Sequence, residues 1–245
     1  MARYTITPIP WGKTTGYKNL MTYLWGFGEP PIEAAQYCWL IQGDKLTCLV
    51  DTGGLPETLT MHGFPTELLE PVDVGLQKRA GVRAGDIKMV ILTHLHFDHV
   101  ENAKKLFPKA KYVVQKKELD GAHHEGSIQR SLYVLEHFAD LDFAIVDGDT
   151  EVAEGIKVMF TPGHSSGGQS VLIDTEDGVV GISGLCTIQE NYEPPEPMKS
   201  LMGVIVPGIH MDAQAAFESA KRLKAQCDLV LANHDKKWRT VSKIG

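Results

Sequence analysis

The sequence predicts an α/β fold in which two mixed β-sheets stack face to face with helices outside them. Short, β-branched apolar runs cluster in both halves of the chain, and helical stretches stand between them. No internal repeat, low-complexity tract or linker divides the 245 residues. That length buries a substantial core and suits one domain over residues 1–245.

Gln36-Tyr37-Cys38-Trp39-Leu40-Ile41 and Thr47-Cys48-Leu49-Val50 read as two strands joined by a turn at Gly43-Asp44. The second strand runs into Asp51-Thr52-Gly53-Gly54, where glycine permits a tight turn and close backbone approach. Residues 55–73 read as irregular. Val74 to Ala80 reads as a short helix closed by Gly81, and Ile87 to Leu92 as a buried strand. A helix is expected from His99 to Phe107, stopped by Pro108, then a strand at Tyr112-Val113-Val114. Gln115 to Ala139 reads as helical with a break near Gly121 to Gly126. Ile156 to Thr161 is a strand leading into Pro162-Gly163-His164. Ser170–Asp174 and Val179–Ser183 form a hairpin around Glu176-Asp177-Gly178. Residues 190–209, rich in proline and glycine, read as a long loop. Asp212 caps an amphipathic helix to Ala225, and the strand Asp228 to Ala232 delivers Asn233 and His234.

The chemistry concentrates in Thr93-His94-Leu95-His96-Phe97-Asp98-His99, directly after the strand at Ile87 to Leu92. At an extended strand end, His94 and His96 project to the same side and suit one metal ion. Asp98 and His99 fall where the chain turns, placed for a second ion nearby. Imidazole and carboxylate suit zinc, and also iron or manganese. A histidine-rich polar loop is the competing reading, but three histidines and an aspartate at H-x-H-x-D-H spacing point to metal.

Composition narrows the partners. Net charge is −7 with no basic stripe, which argues against nucleic acid or an anionic membrane surface. No apolar run approaches the ~20 residues that span a bilayer. The start, Met1-Ala2-Arg3-Tyr4-Thr5-Ile6, lacks the apolar core of a signal peptide, so a cytoplasmic location is expected. Cys38, Cys48, Cys186 and Cys227 form no C-x-x-C pair and are expected as free thiols, Cys38 and Cys48 packing as small hydrophobes. A small-molecule substrate is the expected partner, and a homo-oligomer is compatible with the sequence.

The order Asp51-Thr52-Gly53, the His94 to His99 cluster, Thr161-Pro162-Gly163-His164-Ser165 and a terminal strand ending at His234 resembles the metallo-β-lactamase-fold hydrolases. It resembles in particular the branch containing acyl-homoserine lactonases, over nearly the whole chain. The resemblance implies an αββα sandwich with the site at one edge. It implies His94, His96 and His164 as ligands of one metal and Asp98, His99 and His234 as ligands of another. Asp51 would orient a ligand histidine through its outer nitrogen.

One feature departs from that family. A metal-bridging aspartate is expected after the T-P-G-H hairpin, with a carbonyl-polarising tyrosine three residues on. Here the chain reads Ser183-Gly184-Leu185-Cys186-Thr187, with no carboxylate before Glu190. Thr187 and Tyr192 stand nearest to the tyrosine's place. Cys186 could supply a thiolate to the second metal, solvent alone could bridge two metals, or one metal could act by itself. Cys186 could equally be inert packing. Trp11, Tyr17, Trp25, Phe27 and Tyr192 are candidates for an apolar pocket wall, His123 and His124 for a solvated loop, and His137 for a structural role.

The function this implies is hydrolysis of a small lactone, ester or amide by a metal-activated hydroxide, with Asp98 handling the proton. Thioester hydrolysis and mononuclear-iron oxygen chemistry occur on the same fold, and a metal-binding protein without catalysis is the alternative from another class.

Overall fold

A computed structural model describes residues 3–245; Met1 and Ala2, part of the leader reading, lie outside the described residues. The first half builds a seven-stranded sheet from β1 (Thr5–Gly16), β2 (Ile32–Gln42), β3 (Thr47–Val50), β4 (Thr66–Leu68), β5 (Met89–Ile91), β6 (Lys111–Gln115) and β7 (Phe143–Val146). Their order across the sheet is β4-β1-β2-β3-β5-β6-β7. β1, β2 and β3 pair antiparallel, whereas β3, β5, β6 and β7 run parallel. The second half builds a five-stranded sheet from β8 (Thr150–Ala153), β9 (Ile156–Phe160), β10 (Gln169–Thr175), β11 (Gly178–Ile182) and β12 (Leu229–Leu231). It is ordered β12-β11-β10-β9-β8, and only β11 and β12 pair parallel within it.

The two-residue period of the strands sorts the core into layers. Trp39, Ile41, Val50 and Ile91 of the first sheet meet Val158, Val171, Ile173 and Ile182 of the second in a buried middle layer. The alternate residues Cys38, Leu40, Leu49 and Val90 face the other way, onto α1 (Pro56–Met61), α2 (Val72–Ala80), α3 (Phe97–Val100) and α4 (Ala103–Leu106). After β6 follows α5 (Lys116–Ala122), and the long loop before the last helix holds α6 (Met198–Met202). Met159, Leu172 and Val230 on the outer face of the second sheet pack on Ala220 and Leu223 of α7 (Ala213–Gln226). The expected αββα sandwich is therefore present. Asp212 caps α7 by accepting the Ala215 N–H at 3.0 Å.

Three expectations needed correction, and β1 stands where no element was assigned. β1 is a twelve-residue strand that contains Pro8, Pro10 and Gly12. β4 pairs only with Gly12 to Thr14, so β1 is an edge strand along its prolines, where a missing N–H costs no ladder bond. Residues 55–73 contain α1 and β4 rather than irregular chain. The helix expected from His99 to Phe107 is two single turns, α3 and α4. Beyond α5, the stretch to Ala139 is 3₁₀ turns at Arg130–Leu132 and Leu135–His137. Among the described residues no helix is long and apolar enough to cross a membrane.

Candidate metal centre

Every motif of the cluster leaves the carboxyl end of a strand on one edge of the sandwich, where α/β sheets open their crevices. β3 ends at Asp51, β5 leads through Thr93 into His94, β9 into His164, β11 into Cys186, and β12 into His234. The sheets are tied together there: Gln169 N–H donates to Thr93 O at 2.9 Å, and Ala35 N–H to His234 O at 3.0 Å. His96 still has an extended backbone and caps α3, so Asp98 and His99 occupy the helix's first turn just beyond the two extended histidines.

The donors converge. His94, His96 and His164 bring one ligand nitrogen each to within 4.8 Å of one another, and His94, Asp98 and His99 form a second such group. His234 adjoins the latter, its ring 5.8 Å from that of His99. All five histidines are at most 3% exposed.

Outer hydrogen bonds fix how the rings are presented. Nδ1 of His164 donates to Ile209 O at 2.7 Å, and Nδ1 of His234 to Ala35 O at 3.2 Å. Nδ1 of His94 meets Thr93 Oγ1 at 3.0 Å, and that hydroxyl gives its own proton to Asp51 Oδ2 at 2.8 Å. Nδ1 of His99 donates to the same Oδ2 at 2.7 Å. Asp51 also accepts the Thr93 N–H at 2.7 Å and holds a left-handed φ of 60°, a strained conformation for a non-glycine residue beside the site.

With their protons turned outward, Nε2 of His94 and Nε2 of His164 face each other at 3.2 Å as two lone pairs. Nε2 of His96 is buried with no partner. Two imine nitrogens do not attract one another, but they share a cation well. Two ligands of a tetrahedral zinc, each at about 2.0–2.1 Å, stand about 3.3 Å apart. The donor set fits a divalent metal.

Charge agrees with this. Burial pushes His94 and His96 well below the usual imidazole range and lowers His164 and His234 to about 4, so these four are neutral donors at pH 7. Burial would lower His99 too, but Asp98 and Asp51 on either side outweigh it and raise it to about 10. Burial works against an ionised Asp98, yet the adjoining His99 holds its carboxyl well below the usual range. Nε2 of His99 lies 3.3 Å from Asp98 Oδ2, an ion pair when the imidazole is protonated.

Comparison with known proteins agrees with this geometry. The profile of the metallo-β-lactamase superfamily matches residues 32–227. The chain belongs to that superfamily. It is similar to an N-acyl homoserine lactonase of Bacillus thuringiensis, 32% identical over 199 residues, 77% of this chain and 74% of the relative. It is also similar to an N-acyl homoserine lactonase of Agrobacterium fabrum, 27% identical over 180 residues, 64% of this chain and 65% of the relative. Among solved structures, a quorum-quenching N-acyl homoserine lactone hydrolase superimposes with a TM-score of 0.77 at 26% identity, over 98% of this chain and 96% of that one. Another N-acyl homoserine lactone hydrolase, with N-hexanoyl-L-homoserine bound at its catalytic metal centre, gives 0.76 at 25% identity over 96% and 95%.

This member of the metallo-β-lactamase superfamily differs where the bridging aspartate was expected. A Cβ on Gly184 would lie 1.9 Å from Gln169 O, so Gly184 has no room for a side chain, and the Leu185 side chain packs in the cluster of Met159, Leu172 and Tyr192. Cys186 does line the cavity over the metal donors, but its Sγ lies 3.5 Å from Met21 Sδ, in a small apolar cluster with Ala34 and Ile188. Burial, and to a lesser degree Asp98, push its thiol up, and neither donor group includes it.

Thr187 and Tyr192 are not brought to the cavity. Tyr192 OH bonds Ser183 Oγ at 2.6 Å, and its ring packs with Met159, Leu172 and Leu223 on the α7 side. The Thr187 hydroxyl also turns to Ser183, at 3.1 Å, while its carbonyl accepts the His234 N–H. The proposed aromatic wall is absent as well. Trp11 is core, Tyr17 and Phe27 are exposed, and Trp25 donates to Glu190 at 2.6 Å. The cavity wall consists instead of Leu59, Phe64, Phe97, Leu132 and Ile209, with Thr14 and Gln36 as polar members. Gln36 opens the otherwise apolar strand Gln36–Ile41, and a lone amide there is a usable signal of a cavity residue. Glu118, buried behind the histidines, carried no signal in the solvent-like run Lys116-Lys117-Glu118.

Proposed function

We propose that this chain is a metal-dependent hydrolase that opens a small, neutral lactone, with zinc as the metal. The carrying observation is the pair of inward Nε2 atoms of His94 and His164, 3.2 Å apart with their protons committed elsewhere. His94, His96 and His164 would hold one ion, and Asp98, His99 and His234 would hold a second with one anionic ligand fewer than a bridging carboxylate would give. Iron or manganese would suit the same donors. A divalent ion there would supply Lewis acidity and would lower the pKa of water from 15.7 to about 7.

The chain's own groups do the rest. Asp98, on the first turn of α3, accepts a proton from the attacking water and returns it to the leaving alkoxide. Gln36 Nε2 donates to Thr14 Oγ1 at 3.1 Å, which fixes the carboxamide and leaves its oxygen to orient the substrate. Leu59, Phe64, Phe97, Leu132 and Ile209 exclude water and fit an apolar substituent. Among the described residues no lysine or arginine lines the cavity, which favours a neutral substrate over an anionic one. The relatives named as N-acyl homoserine lactonases support a lactone ahead of a thioester.

The test is hydrolysis of N-acyl homoserine lactones, simple esters and acyl thioesters by the zinc-loaded protein, the chelated protein and His96→Ala. Lactone opening that requires both metal and His96 is expected. A loaded protein that opens no lactone, or activity that survives chelation or loss of His96, overturns the reading.

A further inference from the structure

Glu118, in the first turn of α5, is fully buried yet all its partners are neutral. Its Oε1 accepts the Leu95 N–H at 2.9 Å and the Tyr133 hydroxyl at 3.1 Å. Its Oε2 accepts the Ser165 hydroxyl at 2.7 Å and the Gly167 N–H at 3.0 Å. A carboxylate without a cation is costly to bury, and only this full set of donors sustains it. Burial raises Glu118 while the four donated bonds oppose it.

The placement of those donors is what matters. Leu95 lies between His94 and His96, and Ser165 follows His164. The Tyr133 ring stands against the His96 ring, centroids 4.7 Å apart. One carboxylate thus grips both loops that carry the three imidazoles of the first donor group. The loops are pressed close around it: a Cβ on Gly167 would lie 1.9 Å from Glu118 N.

We infer that Glu118 is a positioning residue for the first metal, setting the distance between the His94–His96 loop and the His164 loop. This rests on the metal reading above and deepens it. The chemistry requires a carboxylate rather than an amide. Each oxygen faces one backbone N–H that cannot reverse its role, Leu95 on one side and Gly167 on the other. A glutamine in either orientation would turn its NH₂ against an N–H, so the loops must part on one side.

Titration of the metal-free wild type and Glu118→Gln with cobalt(II) separates positioning from simple support of the fold. The readouts are the visible absorption of bound cobalt, its dissociation constant, and circular dichroism to confirm folding. Glu118→Gln is expected to remain folded, to bind cobalt about 10–100-fold more weakly and to show an altered ligand-field band. A folded variant with wild-type affinity and band overturns the inference. Should Glu118→Gln fail to fold, Ser165→Ala removes one bond to Oε2 and keeps the Gly167 N–H. Weakening of about three- to tenfold is expected there, and unchanged affinity overturns the inference. Wild-type protein that binds no cobalt, or binding that His96→Ala does not diminish, would instead sink the metal reading itself.

Discussion

Cys186→Ser separates a sulfur ligand from a packing thiol. The thiol is 6% exposed, its Sγ contacts Met21 Sδ at 3.5 Å, and Ala34 and Ile188 complete its surroundings. Burial and Asp98 both disfavour the thiolate. A serine hydroxyl at this place needs a strong acceptor, and the thioether of Met21 is a poor one. The variant therefore buries an underpaired hydroxyl, at about 2 kcal/mol. For a chain of this size each kcal/mol shifts Tm by about 2–4 °C, so a fall of about 4–8 °C is expected. Metal content should stay at the wild-type level, because the inward nitrogens of His94, His96 and His164 are untouched. Thermal unfolding followed by circular dichroism, with elemental analysis after dialysis, reads both quantities. Loss of a metal equivalent and most of the activity at near-normal Tm would refute the reasoning and make Cys186 a ligand.

Asp51→Asn should weaken metal binding about 10–100-fold by calorimetric titration, since Thr93 N and His99 Nδ1 donate to different carboxylate oxygens and an amide satisfies only one; wild-type affinity would contradict this. Gly184→Asp should restore no bridge. The Cβ has no room beside Gln169 O, so the variant should lose about 1–3 kcal/mol in urea unfolding without gaining metal, and a new tightly held equivalent at normal stability would count against the account. Gln36→Met should raise KM for a substrate bearing an N–H about 2- to 12-fold, with little change for one without it. In the metal-free protein, His164 and His234 are lowered to about 4 while the unfolded chain titrates near 6.5. The unfolded state takes up protons first, so stability should fall between pH 6.5 and 4, by up to about 3 kcal/mol for each histidine. His99, raised to about 10, acts oppositely: its contribution is complete below pH 6.5 and is lost as pH rises through 10. Urea midpoints that stay flat from pH 6.5 to 4 would show that the rings are not buried as neutral groups.

By itself the sequence determined the layers and the chemistry of the edge. Alternation in Tyr37-Cys38-Trp39-Leu40-Ile41 sends Trp39 to the middle layer and Leu40 to the outer one because strand periodicity is local. The H-x-H-x-D-H run is equally local: an extended segment entering one helical turn places four donors together whatever the rest of the chain does. Tertiary structure decided everything that depends on which distant segment arrives, and on which side. β1 exists because it is an edge beside β2 where its prolines need no partner. Cys186, Thr187 and Tyr192 are near neighbours in sequence, yet only Cys186 reaches the cavity, because Ser183 draws the other two hydroxyls toward α7. Glu118 looks like a solvated charge within Lys116-Lys117-Glu118 and becomes a buried clamp only when the His96 and His164 loops close over it. Burial and hydrogen-bond satisfaction belong to the assembled chain, and no local pattern encodes them.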